Sequence, residues 1–315
     1  MDYQSQSKKV FIVYHRADYD GLFSGNIARK FYQDCYYVVY MKGYNYGDKI
    51  PDFDKIISEY DEICILDVSF DVDTMKKLKE SKKVYWIDHH IGTILQSEEN
   101  GYSDIPGSRT KEKIAACEEA WKYFFSNIKI PHIIELLSAY DVWDHDRFDW
   151  DTETTPIQYS LRANYSLNIE RVWKDWEKLI DDPDYLNSLL DLGNGIMKYQ
   201  KAVWRSWCGN YAFDITVADK YKAICMLTAQ SGSLQFESVL NDPEKENTYD
   251  LQVVVNRKGP DLYNVSIYKE SDECNDFDCS EYASKVYKTG NGHKSAAGFT
   301  INFEQFTKLM QEQVL

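Results

Sequence analysis

Four short runs of consecutive apolar residues mark the first part of the chain: KKVFIVY (8–14), YYVVYMKG (36–43), EICILDV (62–68) and KKVYWID (82–88). Each stops at a charged or glycine-containing break. Apolar runs without polar alternation are the pattern of parallel strands covered on both faces. Between them, GLFSGNIARKFYQ (21–33), the stretch from about 51 to 60, and DVDTMKKLKES (71–81) carry helical spacing. Strands alternating with helices predict βαβ units and a parallel sheet.

From 111 to 145 the pattern is helical, in KEKIAACEEAWKYFFSN and PHIIELLSAYDVWDHD, with Pro131 suited to the first turn of the second helix. A third helical region, about 168–207, breaks near DDPD (181–184) and carries Trp173, Trp176, Trp204 and Trp207, read as packing residues rather than base-stacking platforms. Strand patterns return in FDITVAD, KAICML, YDLQVVVNRKG and YNVSIYK, followed by a helix over about 279–288 and the glycine-rich GNGHKSAAGF. The expected architecture is α/β in two domains. An N-terminal parallel-sheet domain covers 1–160, a helical linker 161–207, and a smaller C-terminal α/β domain 208–315.

Composition narrows the class. The 315 residues are 43% hydrophobic and 28% charged, as in a water-soluble globular protein with ample core. No apolar run spans a bilayer and MDYQSQSKKV has no signal-peptide core, so the expected location is cytoplasmic, with no membrane partner. Seven cysteines without a CxxC pair suit a reduced protein; Cys274 and Cys279 lie closest together and are not expected to bind anything. The net charge of −15 argues against a protein that tracks long duplex or single-stranded nucleic acid, because phosphate neutralisation supplies most of such affinity. A small anionic substrate stays open, since bound cations reverse the local sign.

The acids are placed where chemistry is expected. Ligands in an open parallel sheet bind beyond the carboxyl ends of its strands. His15, Asp18 and Asp20 follow the first strand, Asp67 ends the third, Asp88-His89-His90 ends the fourth, and Asp141 closes the helix LLSAYD. Any one of these acids alone would be an ordinary helix cap. Together, with four of the six histidines (15, 89, 90, 293) in the same motifs, they form a carboxylate–imidazole donor set without thiolate. Such a set suits Mn²⁺ or Mg²⁺, with Zn²⁺ or Fe²⁺ as alternatives, and it has enough donors for two ions that activate water against phosphorus.

In this order, HRADYDG, ILDVS, IDHHIG and SAYD resemble the four motifs of the DHH phosphoesterase superfamily, and GNGHKSAAGF resembles the GGGH motif of its C-terminal DHHA1 domain. The resemblance implies one divalent ion on His15, Asp18 and Asp67 and a second on Asp20, Asp67, His89 and Asp141, with Asp67 bridging. It implies that Asp88 orients the neighbouring histidines, that His90 faces the scissile phosphate, and that His293 with the amides of Gly290 and Gly292 holds the far end of the substrate. Mn²⁺ is the expected cofactor, with Mg²⁺ second. Relatives commonly carry an arginine in the strand matching VSIYK, where this chain has Tyr268 and Lys269; Lys269 brings the charge without the bidentate fork.

Arg109 and Lys111, after the third motif, are further candidates for substrate phosphate, whereas Asp144-His145-Asp146 is read as a polar helix end. The implied activity is hydrolysis of short oligonucleotides or linear dinucleotides to mononucleotides, with cyclic dinucleotides as the alternative substrate. Pyrophosphate or polyphosphate hydrolysis and a degenerate nucleotide sensor rank lower. A second copy of the chain, in a homodimer, is an allowed partner.

Overall fold

The computed structural model describes residues 7–229, 232–240, 249–269, 276–287, 290–292 and 294–315. The chain forms two compact units, Met1–Met197 and Lys198–Leu315. The boundary falls inside a 29-residue helix.

The first unit runs β1 (Lys9–His15), α1 (Tyr19–Asp34), β2 (Val38–Tyr44), α2 (Phe53–Glu59), β3 (Glu62–Leu66), α3 (Val72–Ser81), β4 (Val84–Ile87) and α4 (Ile91–Asn100). It continues with α5 (Ala116–Phe124), α6 (His132–Asp141), a π-helical turn (Trp150–Thr154), α7 (Thr155–Tyr165), α8 (Ile169–Lys174), α9 (Trp176–Asp181) and α10 (Pro183–Tyr211). Its sheet has the order β2-β1-β3-β4, and every pairing is parallel. Side chains alternate across it. Val10, Ile12 and Tyr14 join Leu22, Phe23, Trp121 and Leu137 in a core on one face, while Val13, Ile63 and Ile65 meet Phe53, Met75 and Tyr102 on the other. Helices start where short polar side chains replace the missing backbone acceptors: Asp18, Asp52 and Asp71 each accept the N–H three residues on.

The structure departs from the sequence pattern at two places. The apolar run of β2 predicts burial on both faces, but Val38 and Tyr40 are 41% and 43% exposed. β2 is an edge strand, and its alternation is hidden because Val and Tyr occupy the solvent side as well as the core side. Pro131 does not enter α6; it stands as the residue just before it, with extended backbone.

The second unit adds β5 (Phe213–Val217), β6 (Tyr221–Leu227), a 3₁₀ turn (Leu234–Phe236), α11 (Glu237–Leu240), β7 (Leu251–Arg257), β8 (Leu262–Lys269), α12 (Cys279–Val286), β9 (Asn291–Gly292), β10 (Ala296–Asn302) and α13 (Phe303–Glu312). These strands form a mixed sheet in the order β5-β6-β7-β8-β10-β9. One face packs Val253, Val265, Ile267 and Phe299 with Cys279 and Ala283 of α12 and Leu309 of α13. Described cysteines are all free, and Cys274 lies outside the described residues.

The loop after α4 lies along β4. Trp86 N–H donates to the Pro106 carbonyl at 2.8 Å and Asp88 N–H to that of Ser108 at 3.2 Å. Arg109 closes this loop: its guanidinium donates to the carbonyls of Trp86, Ser103 and Ile105 at 2.7–2.8 Å and lies over the Trp86 ring. Replacing it by methionine leaves three acceptors unfilled. Arg109→Met is therefore expected to lower unfolding stability by about 2–3 kcal/mol in urea titration; an unchanged midpoint would show that these bonds carry no net stability.

Candidate metal centre

Strand register creates the site. Leu66 of β3 stands opposite Tyr14 of β1 and Ile87 of β4. The next residue on each strand is therefore His15, Asp67 or Asp88, and the three share one row at the carboxyl rim. Asp67 adopts a left-handed backbone, φ 57°, so the chain turns at the rim instead of continuing as strand. Asp18 and Asp20 come from the start of α1 and Asp141 from the end of α6. Gly21 makes the first of these approaches feasible: a Cβ there would lie 2.1 Å from the His15 carbonyl oxygen.

The donors fall into overlapping groups, His15–Asp18–Asp67, Asp20–His89–Asp141 and Asp67–His89–His90, with the ligand atoms of each within 4.8 Å of one another. His15 Nδ1 lies 2.9 Å from Asp18 Oδ2 and 3.4 Å from Asp67 Oδ2. His89 Nε2 lies 3.2 Å from Asp141, 3.5 Å from Asp67 and 3.6 Å from Asp20. The Asn45 amide oxygen can only accept, so it takes the proton of His15 Nε2 at 3.2 Å and leaves the Nδ1 lone pair facing the carboxylates. Buried His15 Nδ1 and Asp67 Oδ1 have no hydrogen-bond partner of acceptable geometry. Lone pairs that converge in this way fit divalent cations with oxygen and imidazole ligands.

The residues behind the donors leave little trace in the sequence. Asp20 accepts the N–H groups of Ala116 at 3.0 Å and Cys117 at 2.6 Å, so it caps α5 from 96 and 97 residues away. The signal is an absence, since α5 begins Ala-Ala-Cys with no capping side chain of its own. Asp88 is fully buried and clamps the next two residues. Its Oδ1 accepts the backbone N–H groups of His89 and His90 and lies 2.7 Å from His90 Nδ1, while Thr93 donates to Oδ2. This carboxylate is ionised, because the bonds from His90 outweigh burial and hold its pKa below the usual value. His90 Nδ1 is accordingly the donor and Nε2 is turned away from the clamp.

Electrostatics reflects crowding. Desolvation at the crowded rim and neighbouring carboxylates push Asp20 and Asp141 up to about 7, although Asp141 keeps an edge open to solvent, and burial also raises Asp67. Burial alone would depress the histidines, but the carboxylates around them prevail. Asp18 and Asp67 lift His15 to about 11, Asp67 and Asp20 lift His89 to about 10, and Asp88 lifts His90 to about 9. The rim demands positive charge, and without cations protons supply it.

Other candidates sit elsewhere. Arg109, expected near substrate phosphate, is held by the three loop carbonyls, and Lys111 pairs with Glu98. Asp144 pairs with Lys113 at 3.4 Å and His145 stacks on Trp150 at 3.8 Å. Lys269 is 6% exposed on the side of β8 that carries Val265 and Ile267, the face packed under α12, rather than on the opposite face of the strand. Gly290 and Gly292 have packing reasons to be glycine: Cβ atoms there would lie 2.0 Å from the Ala283 carbonyl and 2.4 Å from that of Ala296. His293 lies outside the described residues.

Parallel strands that deliver carboxylates and imidazoles to one rim, followed by a second α/β unit, define a DHH/DHHA1-type fold, and this chain has it. It is similar over 97% of its length to a DHH domain described as a member of the S1p family of ribosomal proteins, at 14% identity, TM-score 0.64 and 85% coverage of that chain. A pGpG-specific phosphodiesterase from Vibrio cholerae matches 98% of this chain and 97% of its own, at 12% identity and TM-score 0.53. RecJ from Thermus thermophilus, solved with Mn²⁺, matches 97% of this chain but 51% of its own, at 15% identity and TM-score 0.52. No family model and no curated protein matches the sequence.

A cation must displace protons from donors held near 7 (Asp20, Asp141) and near 10–11 (His89, His15). These groups all bind protons more tightly folded than unfolded, so metal-free stability from them is lost as pH rises through those values, while cation affinity grows. The rise in Tm caused by saturating Mn²⁺ should therefore increase from pH 6 to pH 9; a flat or falling increment would contradict the donor set. Asp67→Asn removes the carboxylate that lies within reach of both His15 and His89. It should abolish most of the Mn²⁺ increment in Tm; an increment equal to that of wild type would show that Asp67 is not a ligand.

Proposed function

We propose that the protein is a divalent-metal-dependent phosphodiesterase that converts short oligonucleotides or linear dinucleotides to mononucleotides. The observation that carries this reading is the convergence of His15, Asp18, Asp20, Asp67, His89 and Asp141 at one rim, with Asp67 in reach of both His15 and His89. In the proposed arrangement His15, Asp18 and Asp67 hold one cation, and Asp20, Asp67, His89 and Asp141 the other. When bound, such ions supply Lewis-acid polarisation of the phosphoryl oxygens and a water acidic enough to act as nucleophile.

The chain's own groups do the rest. Asp88 fixes the His90 ring through Nδ1, and the Asp88 carboxylate favours the protonated ring. Its Nε2–H is then available to the departing oxygen as a general acid, a role worth about 10²–10⁴-fold in rate. Asp67 turns at the rim on a left-handed backbone, which directs one carboxylate toward both histidine-bearing groups.

Two considerations favour short substrates. A net charge of −15 gives no basic track for a long backbone. The similar Vibrio cholerae protein is described as specific for pGpG, a linear dinucleotide.

The test is hydrolysis in Mn²⁺ of pApA, a 5-mer RNA, a 24-mer RNA, cyclic di-AMP and pyrophosphate by wild type, Asp67→Ala and His90→Asn. The expected result is preference for pApA and the 5-mer, background activity for Asp67→Ala, and a kcat loss of about 10²–10⁴-fold for His90→Asn. Preference for cyclic di-AMP would reassign the substrate. Absence of Mn²⁺-dependent hydrolysis throughout would overturn the enzyme reading.

A further inference from the structure

Immediately beyond Asp141 the chain forms an aromatic cluster that the metal centre does not explain. Trp150 opens the π-helical turn and is the centre of the cluster. His145 stacks on it at 3.8 Å and 17°, and Tyr140 lies parallel to it at 5.6 Å and 4°. Trp143 differs. Its three aromatic contacts, to Trp150 at 4.7 Å, His145 at 5.3 Å and Tyr140 at 6.0 Å, are all T-shaped, so among the described residues no ring stacks on its indole. The residue is 45% exposed and has a left-handed backbone, φ 55°, fixed by its N–H donating to the Tyr140 carbonyl at 3.2 Å. A bulky side chain in that conformation is strained where glycine or asparagine would not be.

Position and charge indicate what the indole meets. Two peptide units separate Trp143 from Asp141, so their Cα atoms are at most about 7.6 Å apart, and the Asp141 carboxylate lies 3.2 Å from His89. A nucleotide with its phosphate at the carboxylate cluster would therefore carry its base within reach of this residue. The loop also carries Asp146, Asp149 and Asp151 beside Asp144, which pairs with Lys113, while its Arg147 is engaged by Glu118. Such a surface repels phosphate and accepts the neutral part of the ligand.

We infer that Trp143, braced edge-on by Trp150 and His145, is the stacking platform for the nucleobase attached to the phosphate being hydrolysed. This rests on the phosphodiesterase reading and adds to it a preference for base-bearing diesters without choice among bases, because stacking uses the π-face every base presents.

The experiment compares kcat and KM in Mn²⁺ for pApA and for the same diester backbone lacking both bases, using wild type, Trp143→Phe and Trp143→Leu. Intrinsic-fluorescence titration with pApA is run in parallel. The expected result is a five- to hundred-fold fall, carried in KM, in the preference of Trp143→Leu for pApA over the abasic diester, with Trp143→Phe retaining most of it. An unchanged preference ratio in Trp143→Leu would overturn the inference, as would parallel loss on both substrates in a variant with wild-type Tm. If wild type hydrolyses neither diester, the phosphodiesterase reading falls. The platform is then judged by the fluorescence Kd: at least five-fold weaker binding in Trp143→Leu supports it, and equal or absent binding by wild type and variant overturns it.

Discussion

Five carboxylates at the rim of one small sheet repel one another, and the rest of the first unit is arranged around that fact. Asp18, Asp20, Asp67, Asp88 and Asp141 lie among three imidazoles, in surroundings where water screens poorly. Four of the five acids have a structural tie that keeps them there. Asp18 caps its own helix, Asp20 caps α5, Asp88 accepts from two backbone N–H groups, and Asp67 is set by the turn at the end of β3. Helix N-termini contribute partial positive charge to two of these acids. That offsets part of the repulsion but leaves Asp67 Oδ1 without a donor. The remaining demand is met by protons on the histidines or by cations, and the two compete for the same lone pairs.

This competition connects stability to chemistry. A fold that satisfied every donor internally would have no vacancy for a ligand, whereas one that left all of them bare would lose its rim to repulsion. Asp88 and Asp67 show the division. The first is fully committed to His89, His90 and Thr93, so it acts only through the ring it holds. The second has the same burial, but its Oδ1 has no hydrogen-bond partner of acceptable geometry, so it stays open to a donor or a cation. Two aspartates of one rim thus differ in role because their donors differ.

Much of this is legible in the sequence because parallel sheets make simple demands. Continuous apolar runs mark β1, β3 and β4, and the acids stand where those runs stop. β2 misleads because its solvent face is also Val and Tyr, so hydrophobicity no longer reports burial. α4 lacks a signal because it begins at the histidines themselves, without a capping side chain. Arg109 illustrates the limit of reading charge from sequence. A guanidinium in a loop after a catalytic motif suggests phosphate, but here three carbonyls of its own loop surround it. Pairings across long sequence distances, such as Asp20 with the N-terminus of α5, leave only the trace of a helix without its cap.

The aromatic cluster after Asp141 shows the same logic in apolar form. Trp150 is satisfied on the pattern of a core residue, stacked by His145 and Tyr140, although it stands in a loop. Its rigidity comes from the π-helical turn it begins, whose first N–H groups are taken by Asp149. Trp143 borrows that rigidity while keeping its own indole unstacked. Exposed indole surface and a left-handed backbone are both unfavourable for a folded chain, and neither improves the packing of α6. Glycine or asparagine would relieve both costs and leave Asp141 on the same helix. The indole, like the Asp67 carboxylate, is thus placed at a cost to the fold that its own packing does not repay.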